Sequence, residues 1–236
     1  MTLLDRAFPQ QDLNYLVLDA RTREVLDLRW PESDTPIPVG SLVKPFTALA
    51  FAGPFPQFDC KGAASACWLA KGHGRLRFVD ALAHSCNAYF LNLARKVDMP
   101  ALARVCAAYG VSAPDAATPE ARIGLGTDWR IAPLSLTRAY AELASRSGEP
   151  KIDSILAGLE RAAKSGTASA IGRGEMAKTG TAPCVEHLGH AGDGFTMVLD
   201  PAEAPRLALL ARVHNVPGAE AAKTAARMLK VIQAGR

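Results

Sequence analysis

Three clusters of residues in this chain carry groups able to make and break an acyl bond. Ser41 and Lys44 are spaced as S-x-x-K, one turn apart if a helix begins at Gly40. That spacing sets both side chains on one face, where an uncharged amine can take the hydroxyl proton. Free backbone N–H groups at a helix start stabilise the negative charge that attack on a carbonyl develops. The amine must be neutral to act as the base, and burial beside a second cation would lower its pKa enough. Taken alone, the pair reads equally well as a serine capping a helix and a solvated lysine.

The second cluster is Ser85-Cys86-Asn87, followed by the apolar AYFLNLA. On a loop between two helices, its hydroxyl can pass a proton to a leaving nitrogen and its amide can hold a substrate carbonyl. The third is Lys178-Thr179-Gly180-Thr181-Ala182, in a strand-like context. Lys178 and the two threonines suit a carboxylate, and Gly180 removes a side chain where backbone must approach a ligand. Lys164-Ser165-Gly166 imitates this tripeptide, but it ends the helical run LAGLERAA and reads as a C-terminal cap.

The elements that must position these groups follow from periodicity. Residues 13–19 and 25–28 read as an antiparallel hairpin, and PESDTPIPVG as loop. SLVKPFTALAFAG has helical spacing with Pro45 in its first turn, while 51–77 reads as an irregular excursion. Helical patterns follow at 78–84, 87–96, 99–109, 133–147, 152–164 and 218–234, with Gly110, Gly148 and Gly166 at C-terminal cap positions. Strand-like runs lie at 175–181, 194–199 and 206–213. The implied class is α+β. The N-terminal hairpin and the late strands form one antiparallel sheet packed by terminal helices, with a helical lobe at about 60–165 inserted between, all in one domain over 1–236.

Composition agrees with an ordinary globular chain: 49% hydrophobic and 21% charged residues over 236 positions. The net charge of +4 comes without a dense Lys/Arg run among aromatics, so nucleic acid is not an expected partner. No run approaches the roughly 18 apolar residues of a membrane span, and MTLLDRAFPQQDLN shows neither an apolar core nor a cleavage site for export. Of five cysteines, Cys60 and Cys67 are placed to bridge in an oxidising compartment, whereas Cys86, Cys106 and Cys184 read as core or cleft residues. None shows the doubled C-x-x-C of a zinc site, and the expectation is of no metal. His187 and His190 flank Gly189 and do not suggest a metal-binding helix. Cys184 with His187, or Cys86 with His84, lacks the third group a thiol enzyme needs. His73 reads as a loop residue, and Trp68, Trp129 and Phe195 as lining either cleft or core.

In this order, S-x-x-K, S-x-N and K-T-G are the motif set of penicillin-binding proteins and serine β-lactamases. GSLVKPFTALA resembles the active-site helix of penicillin-binding proteins, and KGHGRLRFVDALAHSCNAYFLNLA the second-motif region of their class B. IAPLSLTRAYAELAS and AKTGTA are similar to the helix after the cleft and to the third-motif strand, so that the resemblance spans most of 13–230. It implies that Ser41 attacks a D-alanyl-D-alanine peptide of peptidoglycan or a β-lactam, with Lys44 as general base and Ser85 as proton relay. It further implies that Asn87 holds the substrate amide, that Lys178, Thr179 and Thr181 bind the carboxylate, and that Gly180 lets the backbone approach. The N–H groups of Ser41 and Thr181 would form the oxyanion hole. It implies no cofactor and a place outside the cytoplasm, whereas the N-terminal residues by themselves fit either a cytoplasmic protein or one whose export signal or anchor is left out of this sequence.

The resemblance leaves the fate of the acyl-enzyme open. Glu120 and Glu142 do not sit in the sequence of a class A deacylation loop, and Asn87 stands where class D enzymes usually carry valine beside a carboxylated lysine. Both features favour a transpeptidase or carboxypeptidase. The compactness, with Ser85 only 44 positions after Ser41 (85 − 41) and no pedestal domain, is instead similar to class D β-lactamases and to β-lactam sensor domains.

Overall fold

A computed structural model describes residues 2–10, 12–183 and 192–235. Cys184, His187 and His190 lie outside the described residues.

The chain opens with α1 (Leu3–Ala7), set by a capping box in which Thr2 and Asp5 bond each other's backbone N–H. β1 (Leu13–Asp19) and β2 (Val25–Arg29) form the expected hairpin. After β3 (Ile37–Pro38), a 3₁₀ turn at Gly40–Val43 runs into α2 (Lys44–Ala50). The stretch read as irregular contains a small hairpin, β4 (Phe58–Cys60) with β5 (Gly74–Leu76), whose strands are too short to show alternation. Next come α3 (Phe78–Ala83), α4 (Asn87–Ala94), α5 (Met99–Ala108), β6 (Arg130–Ile131), which pairs with β3, α6 (Pro133–Ser145) and α7 (Pro150–Ser165). The chain closes with β7 (Met176–Ala182), β8 (Asp193–Asp200), β9 (Leu207–His214) and α8 (Gly218–Ala234).

The fold is α+β, built on a five-stranded antiparallel sheet of order β2-β1-β9-β8-β7. N-terminal and C-terminal strands share it, with the helices between them inserted. Strand alternation splits the sheet's residues between two cores. Phe195, Met197, Leu199, Ala208 and Leu210 face the inserted helices, while Val198, Leu207, Leu209 and Ala211 face α1 and α8. Burial on both faces explains why β8 reads as a nearly continuous apolar run. Among the described residues, no helix is long and apolar enough to cross a membrane.

β7 is an edge strand, and the 3₁₀ turn of Gly40–Val43 packs against it. Two glycines allow that approach. A Cβ on Gly40, whose φ is +58°, would lie 2.3 Å from the Thr181 carbonyl oxygen, and one on Gly180 would lie 2.5 Å from that of Val39. Gly166 caps α7 as expected but not by a left-handed turn: its φ is −99°. It is small because a Cβ would lie 2.2 Å from the Ala83 carbonyl oxygen on α3.

Candidate active site

The structure gathers all three sequence clusters around one cavity of about 260 Å³. Ser41, Ser85, Asn87, Thr179, Gly180 and Thr181 line it. Lys44 and Lys178 lie beneath, both wholly buried.

Ser41 sits in the 3₁₀ turn, not in the first α-helical turn that its spacing suggests. The consequence for geometry is small, because residues i and i+3 eclipse one another in a 3₁₀ turn and Ser41 still stands over Lys44. No side chain caps this turn or α2, so Ser41 is not a capping residue here. The Tyr140 hydroxyl on α6 steadies the turn by donating to the Leu42 carbonyl at 2.7 Å. Lys44 is likewise no solvated lysine. Its ammonium donates to the Ser85 carbonyl (2.9 Å), the Ser85 hydroxyl (3.2 Å) and Asn87 Oδ1 (2.7 Å). It also lies 5.4 Å from the centre of the Phe90 ring.

Ser85 occupies the loop between α3 and α4 with φ +50°, a left-handed conformation that costs a serine energy and recurs at functional sites. Its neighbours hold it there: the Ser85 N–H donates to Leu82 and the Cys86 N–H to Ala81. Lys178 Nζ donates to the same hydroxyl at 2.8 Å and to the Thr179 carbonyl at 2.7 Å. Two buried lysines therefore converge on one serine oxygen.

Electrostatics follow from this convergence. Burial pushes Lys44 down to about 7, against an opposing pull from the Cys86 and Cys67 thiols. Lys178 is pushed well below its ordinary value by burial first, and then by repulsion from Lys44. Near neutral pH the site thus holds an amine able to accept a proton. Ser85 can relay one between the two nitrogens, since a hydroxyl is both donor and acceptor.

The structure adds residues that the motifs did not reveal. Thr167 lines the cavity, and its hydroxyl bonds that of Thr179 at 2.6 Å. Gly218, at the start of α8, donates its N–H to Thr181 Oγ1 at 2.9 Å. Trp68 forms one wall and is largely exposed, whereas Trp129 and Phe195 belong to the core. A larger cavity of about 550 Å³ opens beside Phe55, Phe78 and Lys151, but the Lys151 ammonium is committed to the Phe51 carbonyl at 2.6 Å.

An antiparallel sheet whose edge strand carries K-T-G, facing S-x-x-K on a helix start and S-x-N on a helical loop, defines the penicillin-recognising serine acyl-transferases. The chain belongs to the penicillin-binding protein transpeptidase domain family, whose model matches residues 14–233. Solved structures agree on the fold. Penicillin-binding protein 2 (PBP2) of Helicobacter pylori, in complex with MreC, superposes with a TM-score of 0.80 at 18% identity over 99% of this chain and 62% of its own. This chain therefore spans less than two thirds of that protein. PBP2 of Pseudomonas aeruginosa, in complex with WCK 5153, gives 0.80 at 18% identity over 97% of this chain and 72% of its own. The transpeptidase domain of Burkholderia pseudomallei penicillin-binding protein 3 gives 0.76 at 17% over 98% and 90%. A search of curated proteins found no match.

Proposed function

We propose that this chain is a serine acyl-transferase of peptidoglycan, acylated at Ser41 by D-alanyl-D-alanine stem peptides and by β-lactams. The observation that carries this reading is the convergence of buried Lys44 and Lys178 on the Ser85 hydroxyl, in the wall of the cavity that Ser41 lines.

In the reaction proposed, neutral Lys44 takes the Ser41 proton and Ser41 Oγ bonds the carbonyl carbon of the penultimate D-alanine. The N–H groups of Ser41 and Thr181 stabilise the oxyanion, at roughly 10²–10³ in rate per donor. As the C–N bond breaks, the proton passes through Ser85 to the departing D-alanine nitrogen. Asn87 holds the substrate amide, and Thr179 and Thr181 hold the terminal carboxylate above buried Lys178, whose ammonium form that charge favours. An amine acceptor then completes transpeptidation, or water completes carboxypeptidation. A cell-wall substrate places this chemistry outside the cytoplasm.

Slow release of a β-lactam is favoured over β-lactamase turnover. The 2.7 Å bond from Lys44 to Asn87 occupies the amine that a class D enzyme would carboxylate. Among the described residues, no carboxylate lines the cavity to activate water, and Glu142 is paired with Arg23 away from it. A fluorescent penicillin tests this over time. The expected result is label that outlasts removal of free drug by many minutes. Label that vanishes while the drug is hydrolysed stoichiometrically many times over would replace the transferase with a β-lactamase.

A further inference from the structure

We propose that Cys60, Cys67, His73 and Cys86 form a tetrahedral zinc site behind the acylation cavity, joining the second motif to the Trp68 wall. The four donors come from separate places: the end of β4, the loop after it, the residue before Gly74 of β5, and the middle of Ser85-Cys86-Asn87. Their donor atoms nevertheless all lie within 4.8 Å of one another.

The spacing is that of a coordination sphere. Zn–S bonds of about 2.3 Å and Zn–N bonds of about 2.0–2.1 Å, at tetrahedral angles, place sulfurs about 3.8 Å apart and sulfur about 3.6 Å from nitrogen. Cys67 Sγ lies 3.8 Å from Cys86 Sγ, and His73 Nδ1 lies 3.6 Å from Cys60 Sγ and 3.5 Å from Cys67 Sγ. Three thiols and an imidazole are the soft donor set that selects zinc, and four protein ligands leave no open position, as in a structural site.

The surroundings are shaped to hold these donors. The three cysteines are buried, and the half-buried His73 ring stacks against His84 and meets Trp68 edge-on. Ser65 Oγ lies 4.0 Å from the Cys60 sulfur and is itself held by the Lys61 N–H at 3.0 Å, an outer shell that orients a thiolate ligand. The loop closes tightly on itself: a Cβ on Gly62 would lie 1.9 Å from the Ala70 carbonyl oxygen, and one on Gly72 would lie 2.2 Å from that of Cys60. A Cys60–Cys67 disulfide, the pairing their nearness in sequence suggests, would use two donors and leave Cys86 and His73 without a purpose.

The site stands on this geometry alone; its effect on acylation rests on the function proposed above. Cys86 separates Ser85 from Asn87, and Cys67 precedes Trp68. A bound ion would thus pin the left-handed Ser85 turn and the cavity wall with one set of bonds.

The whole chain, purified reduced and supplied with zinc, should retain one ion per chain by elemental analysis. Exchange into cobalt(II) should produce the intense visible bands of tetrahedral thiolate ligation. Cys60→Ser and His73→Ala should each weaken zinc binding by more than the roughly 10–100-fold that loss of an outer-shell partner costs, while His73→Cys should retain it. Should a variant fail to fold, the cobalt spectrum of the unaltered chain still decides. A spectrum of hydrated cobalt, thiols that react equally fast with and without zinc, or a cysteine disulfide in the native protein would each overturn the proposal. Zinc bound normally without β-lactam acylation would contradict the proposed function and leave the metal site standing.

Discussion

Lys44→Ala is expected to slow β-lactam acylation of Ser41 by about 10²–10⁴-fold, the usual contribution of a general base, while the protein stays folded. The fold survives because a wholly buried lysine is itself costly to hold, and Ser85 and Asn87 can bond water admitted to the vacated space. The pH profile supplies a second readout. The base is the neutral amine, so the unaltered chain's acylation rate should rise with pH in step with the neutral fraction of Lys44 and level off above about 7. The linkage has a definite sign. Folding lowers this pKa from 10.5 to about 7, so the unfolded chain binds more protons between those values and stability rises with pH across that window. Stopped-flow acylation across pH and denaturant melts of both proteins check these outcomes. An unchanged rate in Lys44→Ala would remove Lys44 as the base.

The second large effect belongs to Gly40, which has no chemistry of its own. Gly40→Ala should cut acylation by roughly 10²–10³ by displacing the backbone that carries the Ser41 and Thr181 N–H groups. Its methyl would meet the Thr181 carbonyl oxygen at 2.3 Å, where only backbone can give way. Left-handed strain adds about 1–2 kcal/mol, and overpacking typically a further ~1–3 kcal/mol of lost stability. Gly110→Ala separates the two causes. Gly110 has a similar φ of +66°, but nothing lies within 4 Å of its Cβ position, so it should show the strain and keep full acylation. Thermal melts and acylation rates measured side by side give the comparison, and equal acylation in both variants would contradict the role given to the Gly40 contact.

The sheet and most helices were legible because their period is carried by many residues at once. The apolar runs in β1 and β8 follow from burial on both faces, and the expected strand bounds differ from those observed by a residue or so. Short elements carry too few residues to show a period, which hid β3, β4, β5 and β6. α1 announces itself only through the T-x-x-D of its capping box. The Ser41 turn packs against β7, a contact with no local signal.

Within the site, the motif residues were legible because each needs a distinct side chain. Thr167 was not, although it directly follows the Lys164-Ser165-Gly166 imitation of the third motif. That imitation ends a helix as expected, and the turn after it delivers Thr167 to Thr179. The Cys60, Cys67, His73 and Cys86 cluster was hidden for a related reason. Its donors follow one another at intervals of 7, 6 and 13 residues (67 − 60, 73 − 67, 86 − 73), so only the fold brings them together. Sequence spacing reports neighbours within one element, whereas the donors of this cluster come from four separate places along the chain.

Ser41 as the acylated residue remains the claim on which the rest depends. Intact mass measurement of the folded protein after incubation with benzylpenicillin, followed by peptide mapping, tests it most directly. The expected result is a single adduct of the drug's full mass, on the peptide containing Ser41, and none in Ser41→Ala. A folded protein that gains no mass, or carries the adduct on another residue, would contradict it.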